Sequence, residues 1–150
     1  MISLRSACLD DAEDISQLLR ELDYEIESSV VRSKIEQACN RDDSDIVVAV
    51  NRSGKVLGFV DIRYIPQIAL EGDFSRISYF CVDSNHRSQR IGEQIEGYVE
   101  HQARQRKCDR IEVHCHHRRE AAHRFYRRQG YSEAPIYFAK QIQLKSPFAG

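Results

Sequence analysis

The chain has 150 residues, a length that fits one domain around one hydrophobic core. Its 22 basic and 23 acidic residues leave a net charge of -1, which argues against a protein that coats nucleic acid. The longest apolar run, over residues 46–50, is far shorter than the roughly 20 residues that cross a bilayer, so we expect no membrane partner.

Hydrophobic periodicity predicts strands and helices along the whole chain. In order, the predicted elements are a strand at 2–7, a helix carrying Ile15 to Leu22, a helix capped by Ser28 or Ser29, strands at 45–50, 55–65 and 76–82, a helix from Ile91 to about Arg106, a strand at 110–115, a helix at 120–129 that Gly130 ends, and a strand at 137–144. This order predicts an α/β (α+β) fold in which about four helices flank a central mixed sheet. We expect a single domain over residues 1–145 and a frayed tail over 146–150.

The cysteines and the N-terminus bear on where the protein works. Five cysteines are an odd number and no two have C-x-x-C spacing, which favours a reducing compartment over a disulfide framework. The first residues show no basic-then-apolar signal pattern. We therefore expect a cytoplasmic protein.

A polar, basic turn lies between the strand at 76–82 and the helix that begins at Ile91. Residues 82–92 read V-D-S-N-H-R-S-Q-R-I-G. The N–H groups at the start of a helix have no partner within the helix, and the helix dipole favours negative charge there. Because Arg87 and Arg90 add two positive charges, we expect this turn to bind a phosphate or pyrophosphate.

This turn resembles the acetyl-CoA-binding motif of the GCN5-related N-acetyltransferase (GNAT) family, V-x-x-x-x-[QR]-x-x-G-x-[GA]. Arg87 and Gly92 fit that pattern, whereas Arg90 stands where glycine is usual and Ser88 replaces a frequent glycine. Residues 119–131 are similar to a second family motif, N-x-x-A-x-x-F-Y-x-x-x-G-[FY]. The matching residues are Ala122, Phe125, Tyr126, Gly130 and Tyr131, and Arg119 occupies the common Asn position. The A-H-R-F-Y string and residues 137–140 look particularly like small-amine enzymes of the aminoalkylphosphonate N-acetyltransferase kind.

The resemblance implies a GNAT fold, with a mostly antiparallel sheet that splays at the cofactor site, and an N-acetyltransferase with acetyl-CoA as cosubstrate. Phe80, Cys81 and Val82 would present backbone groups to the pantetheine as if the cofactor were an added strand, and the Val82 N–H would stabilise the oxyanion of the reaction. The other implied cofactor contacts are Arg87, Ser88, Gln89, Arg90, Ile91, Gly92, Glu93, Arg119 and Tyr126. Cys81 lacks a His or Asp partner placed by sequence, which disfavours a nucleophile there.

By the same resemblance, Tyr126 is the general acid that protonates the departing thiolate, because a phenol stays protonated at neutral pH. The alternative is that Tyr126 is a helix aromatic that packs on the sheet.

The proton acceptor is harder to assign. Related enzymes often carry a Glu on the central strand, but residues 76–79 hold no carboxylate, and Tyr79 stands in that place. Tyr79 is therefore the second catalytic candidate.

Several residues are candidates for the amine acceptor's pocket. Glu71 and Asp73 lie in the loop before the central strand, and Tyr24 and Tyr64 are aromatic candidates for the pocket wall. Strand alternation places His114 and His116 on one face, near the expected cleft. Four ligands of a tetrahedral site do not come easily from residues 114–117, so we expect no metal.

The expected partner is a small-molecule primary amine, and the resemblance adds a possible homodimer. A phosphonate-bearing amine would want basic residues, for which Arg63, Arg76 and Arg124 are candidates. Two alternatives stay open. One is a CoA-binding sensor or interaction module without turnover, and the other is a nucleic-acid-binding domain that uses the basic stretch 104–128, although no aromatic stacking platform accompanies that stretch.

Overall fold

Five strands form one sheet in the order β1-β2-β3-β4-β5, and the computed structural model describes residues 1–115, 118–134 and 137–143. The strands are β1 (Ser3–Ser6), β2 (Ser44–Val50), β3 (Val56–Ile65), β4 (Phe74–Val82) and β5 (Arg110–Val113). Neighbours from β1 to β4 pair antiparallel, and β5 runs parallel to β4. The expected mixed, mostly antiparallel sheet is confirmed.

The described residues form four α-helices, which also agrees with the sequence. They are α1 (Ala12–Arg20), α2 (Ser28–Cys39), α3 (Ile91–Gln105) and α4 (Glu120–Arg128). Short 3-10 helices at Leu9–Asp11 and Ser84–Gln89 precede α1 and α3. In the part of the chain that is described, no helix has the length and apolar character to span a membrane.

The chain forms two compact units, Met1–His114 and Cys115–Gly150. The first unit contains the whole sheet together with α1, α2 and α3, and the second contains α4. The turn expected to bind phosphate and the strand before it therefore belong to one packed body. The single domain over residues 1–145 stays a prediction.

Helices α1 and α2 cover one face of the sheet. Their side chains, including those of Ile15, Leu18 and Ile35, pack in one buried cluster with Phe59 of β3 and Cys81 of β4. Alternate residues of a strand point to opposite faces, so from Phe59 onward the odd-numbered side chains of β3 lie on this α1/α2 face.

Helix α3 covers the opposite face. Ile91, Ile95 and Val99 recur every four residues and are fully buried, which confirms the predicted apolar stripe. On β3, a Cβ at Gly58 would lie 3.2 Å from Ile95 Cδ1 and 3.1 Å from the Cys81 carbonyl oxygen. The glycine therefore allows α3 to lie close against the sheet, and α3 carries the basic turn at its start.

Two predicted boundaries near these elements differ from the structure. Strand β4 begins at Phe74, two residues early, because Phe74 pairs with Ile65 of β3 and with Arg110 of β5. The residue that caps α2 is Glu27, so Ser28 and Ser29 lie inside the helix.

The strands predicted after α3 are also shorter or absent. Strand β5 ends at Val113, because its ladder with β4 ends at the pair Ile77–Val113. No strand forms over the described residues 137–143, where Tyr137, Phe138 and Ile142 are 60%, 90% and 85% exposed. An alternating apolar pattern needs a neighbouring strand to accept its hydrogen bonds, so the predicted last strand is wrong for these residues. Residue 144 lies outside the described part.

Candidate active site

Strand β4 carries a bulge at the point where it leaves β5. Asp61 of β3 pairs with Tyr79 and the next residue, Ile62, pairs with Ile77, so Ser78 is one extra residue in β4. The parallel ladder with β5 spans Phe74 to Ile77 and ends beside this bulge, whereas β4 continues along β3 to Val82. The two strands therefore pair over only the first half of β4, which confirms the expected splay of the sheet.

The backbone beyond the bulge presents alternate residues to the side away from β3. The Asp83 N–H donates to the Leu57 carbonyl at 2.8 Å, so the backbone of residue 83 faces β3. In an antiparallel pair this direction alternates, which turns Phe80 and Val82 away from β3 and Cys81 toward it. Of the three predicted cofactor residues on this strand, Phe80 and Val82 thus turn their backbone groups to the edge away from β3.

The Cys81 side chain belongs to the core. It is 3% exposed, and its Sγ donates to the Leu18 carbonyl at 3.3 Å. A buried thiol packed against α1 in this way acts as a small apolar group. This placement agrees with the expectation that Cys81 is not a nucleophile.

The basic turn after β4 has a defined backbone. Asp83 accepts a hydrogen bond from the Asn85 N–H at 2.9 Å and starts the 3-10 segment Ser84–Gln89, which includes the predicted residues Arg87, Ser88 and Gln89. Arg90 follows with φ 59° and ψ 26°, in the left-handed region, and α3 begins at the next residue. Glycine adopts this conformation most readily. Arg90 therefore has the backbone conformation that suits the glycine usual at this position of the motif.

The side chains of this turn point mainly to solvent. The Arg90 side chain is 82% exposed and its Nε lies 3.8 Å from Glu93 Oε2, while Arg87 is exposed as well. Ile91 is fully buried under the sheet, so only its backbone can serve the site. Gly92 is partly exposed in the first turn of α3. Two arginines and the first N–H groups of a 15-residue helix form an arrangement that suits an anion.

An aromatic pair lies on the α1/α2 face near the bulge. The rings of Tyr24 and Tyr79 meet edge to face, with 5.5 Å between centroids and 78° between planes. Burial raises the pKa of Tyr79, and nearby Tyr24 and Asp61 raise it further. A phenol whose pKa is raised stays protonated, so Tyr79 is poorly suited to accept a proton from an amine.

Asp61, which the sequence analysis did not single out, lies directly across from Tyr79. Its Oδ2 accepts from Arg63 Nη2 at 3.2 Å, whereas its Oδ1 is buried without a hydrogen-bond partner in the described residues. Burial raises the pKa of this carboxyl in spite of the Arg63 charge. A charged residue inside the apolar run 56–62 is the sequence signal that points to it.

In the second unit, Tyr126 is held at a well-defined helix end. Its ring meets Phe125 and Tyr131 edge to face, each with 5.3 Å between centroids. Gly130 has φ 96°, its N–H donates to the Arg127 carbonyl, and the Tyr131 N–H donates to the Tyr126 carbonyl, both at 3.0 Å. These two bonds form a Schellman motif, which confirms Gly130 as the C-terminal stop. Arg119 is the residue that precedes the first turn of α4.

The chain matches the family model of the acetyltransferase (GNAT) family over residues 12–131. It belongs to the GNAT family. The match spans β4, the basic turn, α3 and α4, so every element that carries a predicted cofactor contact lies within it. The protein is therefore an acetyltransferase enzyme, and the resemblance drawn from the two motifs is confirmed.

Similar proteins agree with this GNAT assignment. The chain is 28% identical over 141 residues to an aminoalkylphosphonate N-acetyltransferase of Salmonella typhimurium, covering 93% of this chain and 90% of the relative. Its fold matches a transcriptional regulator of Bacillus halodurans C-125 with a TM-score of 0.84 and 20% identity, covering 95% and 100% of the two chains. A glucosamine-6-phosphate N-acetyltransferase of Arabidopsis thaliana matches with a TM-score of 0.81 and 18% identity, covering 95% and 99%.

Three predicted acceptor residues of this GNAT enzyme lie apart from the bulge. Tyr64 is 3% exposed, and the Arg106 guanidinium stacks 3.7 Å above its ring, on the face that α3 covers. Burial raises its pKa to about 12. The Asp73 carbonyl accepts from the Asp109 N–H at 2.7 Å, at the start of β4, about 16 Å along the strand from Ser78. Glu71 is exposed, two residues further from the bulge. Strand direction and face thus place these three residues away from the Ser78 bulge, and their part in the acceptor pocket stays a prediction.

Two histidines complete the predicted set. His114 follows β5 on the same face as Glu112, and burial lowers its pKa, as does the charge of Arg76. Arg76 Nη2 in turn donates to Glu112 Oε1 at 2.8 Å. His114 therefore lies on the α1/α2 face, as a neutral imidazole at neutral pH. His116 lies outside the described residues, and the described residues contain no cluster of side chains suited to a metal ion.

Proposed function

We propose that this GNAT enzyme transfers the acetyl group of acetyl-CoA to the primary amine of a small molecule, by direct attack in a ternary complex. The observation that carries the proposal is the separation of β4 from β5 at the Ser78 bulge, followed at once by the basic turn of α3. The first feature suits an amide-bearing chain, and the second suits a pyrophosphate. Acetyl-CoA contains both an amide-bearing chain, its pantetheine arm, and a pyrophosphate.

The cofactor contacts follow from these two features. The backbone groups of Phe80 and Val82 would pair with the pantetheine as a neighbouring strand does, and the Val82 N–H would donate to the developing oxyanion. The N–H groups of the turn, with Arg87 and Arg90, would bind the pyrophosphate. Acetyl-CoA supplies the acetyl group and the thiolate that leaves.

Tyr126 is the proposed general acid. Its phenol carries a proton at neutral pH and would give that proton to the departing sulfur. The Schellman motif and the contacts with Phe125 and Tyr131 hold the ring of Tyr126 in one place. A fixed donor is what a proton transfer of this kind requires.

The small-amine acceptor is supported by the similarity to the Salmonella aminoalkylphosphonate enzyme, whose name states such a substrate. The cytoplasmic location and the homodimer stay predictions. Gel filtration with light scattering tests the second of these, and a monomeric mass would refute it.

The test of the proposed function is release of free thiol from acetyl-CoA with a panel of small amines. The panel includes aminoalkylphosphonates, polyamines, amino acids and aminoglycosides. We expect turnover with at least one amine, and a loss of about 100-fold in kcat in Tyr126→Phe, because general acid catalysis contributes about that factor or more.

Tyr131→Phe is the matched control, since it removes a hydroxyl from the same aromatic cluster at a position where the family motif accepts Phe. We expect that variant to keep wild-type activity. Thermal stabilisation by acetyl-CoA is measured for all three proteins. A wild-type protein that acetyl-CoA fails to stabilise would remove the basis of the proposed function.

A further inference from the structure

A carboxylate of β3 stands across from the bulge, although residues 76–79 of β4 hold none. Asp61 and Tyr79 are directly paired across β3 and β4, next to Ser78. Their side chains lie on the α1/α2 face, because each is two residues from a member of that core cluster, Phe59 or Cys81. Paired side chains of this kind lie about 5 Å apart. Asp61 therefore lies one strand spacing from the backbone edge that would receive acetyl-CoA.

The surroundings of Asp61 leave one oxygen for a cation. Its side chain is 13% exposed, Arg63 occupies Oδ2, and Oδ1 is buried without a hydrogen-bond partner in the described residues. On the other side, β2 places the apolar Ile46 opposite Asp61. Among the described residues, the charged and titratable groups that interact with Asp61 are Arg63 on its own strand and Tyr79 on β4, with Tyr24 packed against Tyr79.

These groups together suit a primary ammonium ion. A buried carboxylate oxygen can accept its hydrogen bond, and aromatic rings of the kind that lie beside Asp61 attract a cation. Tyr79 is 40% exposed, so the aromatic pair is open to solvent on one side. Burial also raises the pKa of Asp61, which makes the carboxylate a stronger base than an exposed one.

We propose that Asp61 binds the ammonium group of the acceptor through Oδ1 and takes one proton from it before the amine attacks. The inference rests on the proposed function and assigns its missing base. It places the base on β3, across from the β4 position at which related enzymes often carry a Glu.

The proposed steps of the acetyl transfer conserve protons and electrons. The ammonium ion gives one proton to Asp61 and regains its lone pair, which forms the C–N bond at the thioester carbonyl while the carbonyl electron pair moves to oxygen. The return of that pair breaks the C–S bond. The departing thiolate takes up one proton, the nitrogen gives its second proton to solvent, and Asp61 releases its proton to solvent, so that one proton is released overall.

The test compares Asp61→Asn with wild type in the thiol-release assay, using the amine that the panel identifies. We expect a loss of about 100-fold in kcat/KM near pH 7. The loss should shrink as the pH rises through about 10, the ordinary pKa of a primary amine, because the neutral amine that forms there needs no base. A merely structural role would not depend on pH in this way.

Asp43→Asn is the control, because it removes another arginine-paired carboxylate, one that lies outside the site and pairs with Arg41. Asp61→Glu should recover part of the activity. Folding is checked by thermal unfolding with and without acetyl-CoA, and we expect acetyl-CoA to stabilise Asp61→Asn as it does wild type.

Activity of Asp61→Asn within about threefold of wild type, or a loss of equal size at every pH, would overturn the role of Asp61. Failure of the proposed function is distinguishable, because it appears in the wild-type protein as an absence of turnover or of stabilisation by acetyl-CoA. That outcome would overturn the assignment of Asp61 as well.

Discussion

At the scale of single residues, Arg90 combines a useful charge with an unfavourable backbone. In the left-handed conformation, a residue with a Cβ is about 1 kcal/mol less stable than glycine. Replacement by glycine removes that strain, but it also gives the unfolded chain more conformational freedom, which offsets part of the gain in stability. We expect Arg90→Gly to raise the free energy of unfolding by about 0.5 kcal/mol, as measured by urea denaturation without acetyl-CoA.

The same substitution removes a positive charge from the proposed pyrophosphate site. Arg90→Gly should therefore bind acetyl-CoA more weakly, and the difference from wild type should narrow as salt is added. Arg90→Lys separates the two effects, since it keeps both the charge and the left-handed Cβ. If isothermal titration shows equal affinity in all three proteins, Arg90 does not contact the cofactor.

At the scale of elements, two glycines in similar open surroundings should respond in opposite ways to alanine. A Cβ would meet no atom within 4 Å at either Gly130 or Gly97, so steric clashes play no part. Gly130 has φ 96°, and Gly130→Ala should destabilise the end of α4 by about 1 kcal/mol. Gly97 lies inside α3, where Gly97→Ala should stabilise the helix by up to about 1 kcal/mol.

Hydrogen exchange reports the first effect at the Gly130 and Tyr131 N–H groups, and urea unfolding reports the second. Faster exchange in Gly130→Ala should accompany a lower kcat, because the same motif holds Tyr126. Unchanged exchange at these two amides would show that the Schellman motif does not limit the stability of α4.

At the scale of the whole molecule, paired carboxylates govern stability at acid pH. Burial alone would raise the pKa of the Asp11 carboxyl. Hydrogen bonds from Arg5 at 2.8 and 2.9 Å and from the Cys8 N–H at 2.8 Å outweigh burial, so the pKa of Asp11 lies below its ordinary value. A lowered pKa means that the ionised form stabilises the fold. That contribution is present above the unfolded pKa of about 4 and is lost as the pH falls through the folded value.

We therefore expect Asp11→Asn to unfold about 2 kcal/mol more easily near pH 7, and to lose less stability than wild type between about pH 4 and pH 2. The measurement is urea unfolding over that pH range. Asp43→Asn, which breaks an ion pair at the surface, should match wild type at neutral pH. Parallel pH profiles for wild type and Asp11→Asn would contradict this account.

The fold was predictable where periodicity decides it, and the site only in part. The stripe of Ile91, Ile95 and Val99 and the stop at Gly130 follow from local rules. Asp61 was missed because its relation to Tyr79 depends on register between two strands, which a local pattern does not contain. The face on which Tyr64 lies is hidden from the sequence for a similar reason, since the face of a strand residue is set by its neighbours across the sheet.

The Ser78 bulge has a consequence for how such a site can arise or disappear. In a regular strand, Ile77 and Tyr79 would face the same side of the sheet. Because Ser78 is one extra residue between them, Ile77 faces α3 while Tyr79 faces α1 and α2. A substitution changes one side chain and leaves that alternation as it is, whereas deletion of one residue at Ser78 would exchange the faces of all the residues that follow it in β4. An open edge of this sheet is therefore sensitive to the length of β4 and not only to its composition.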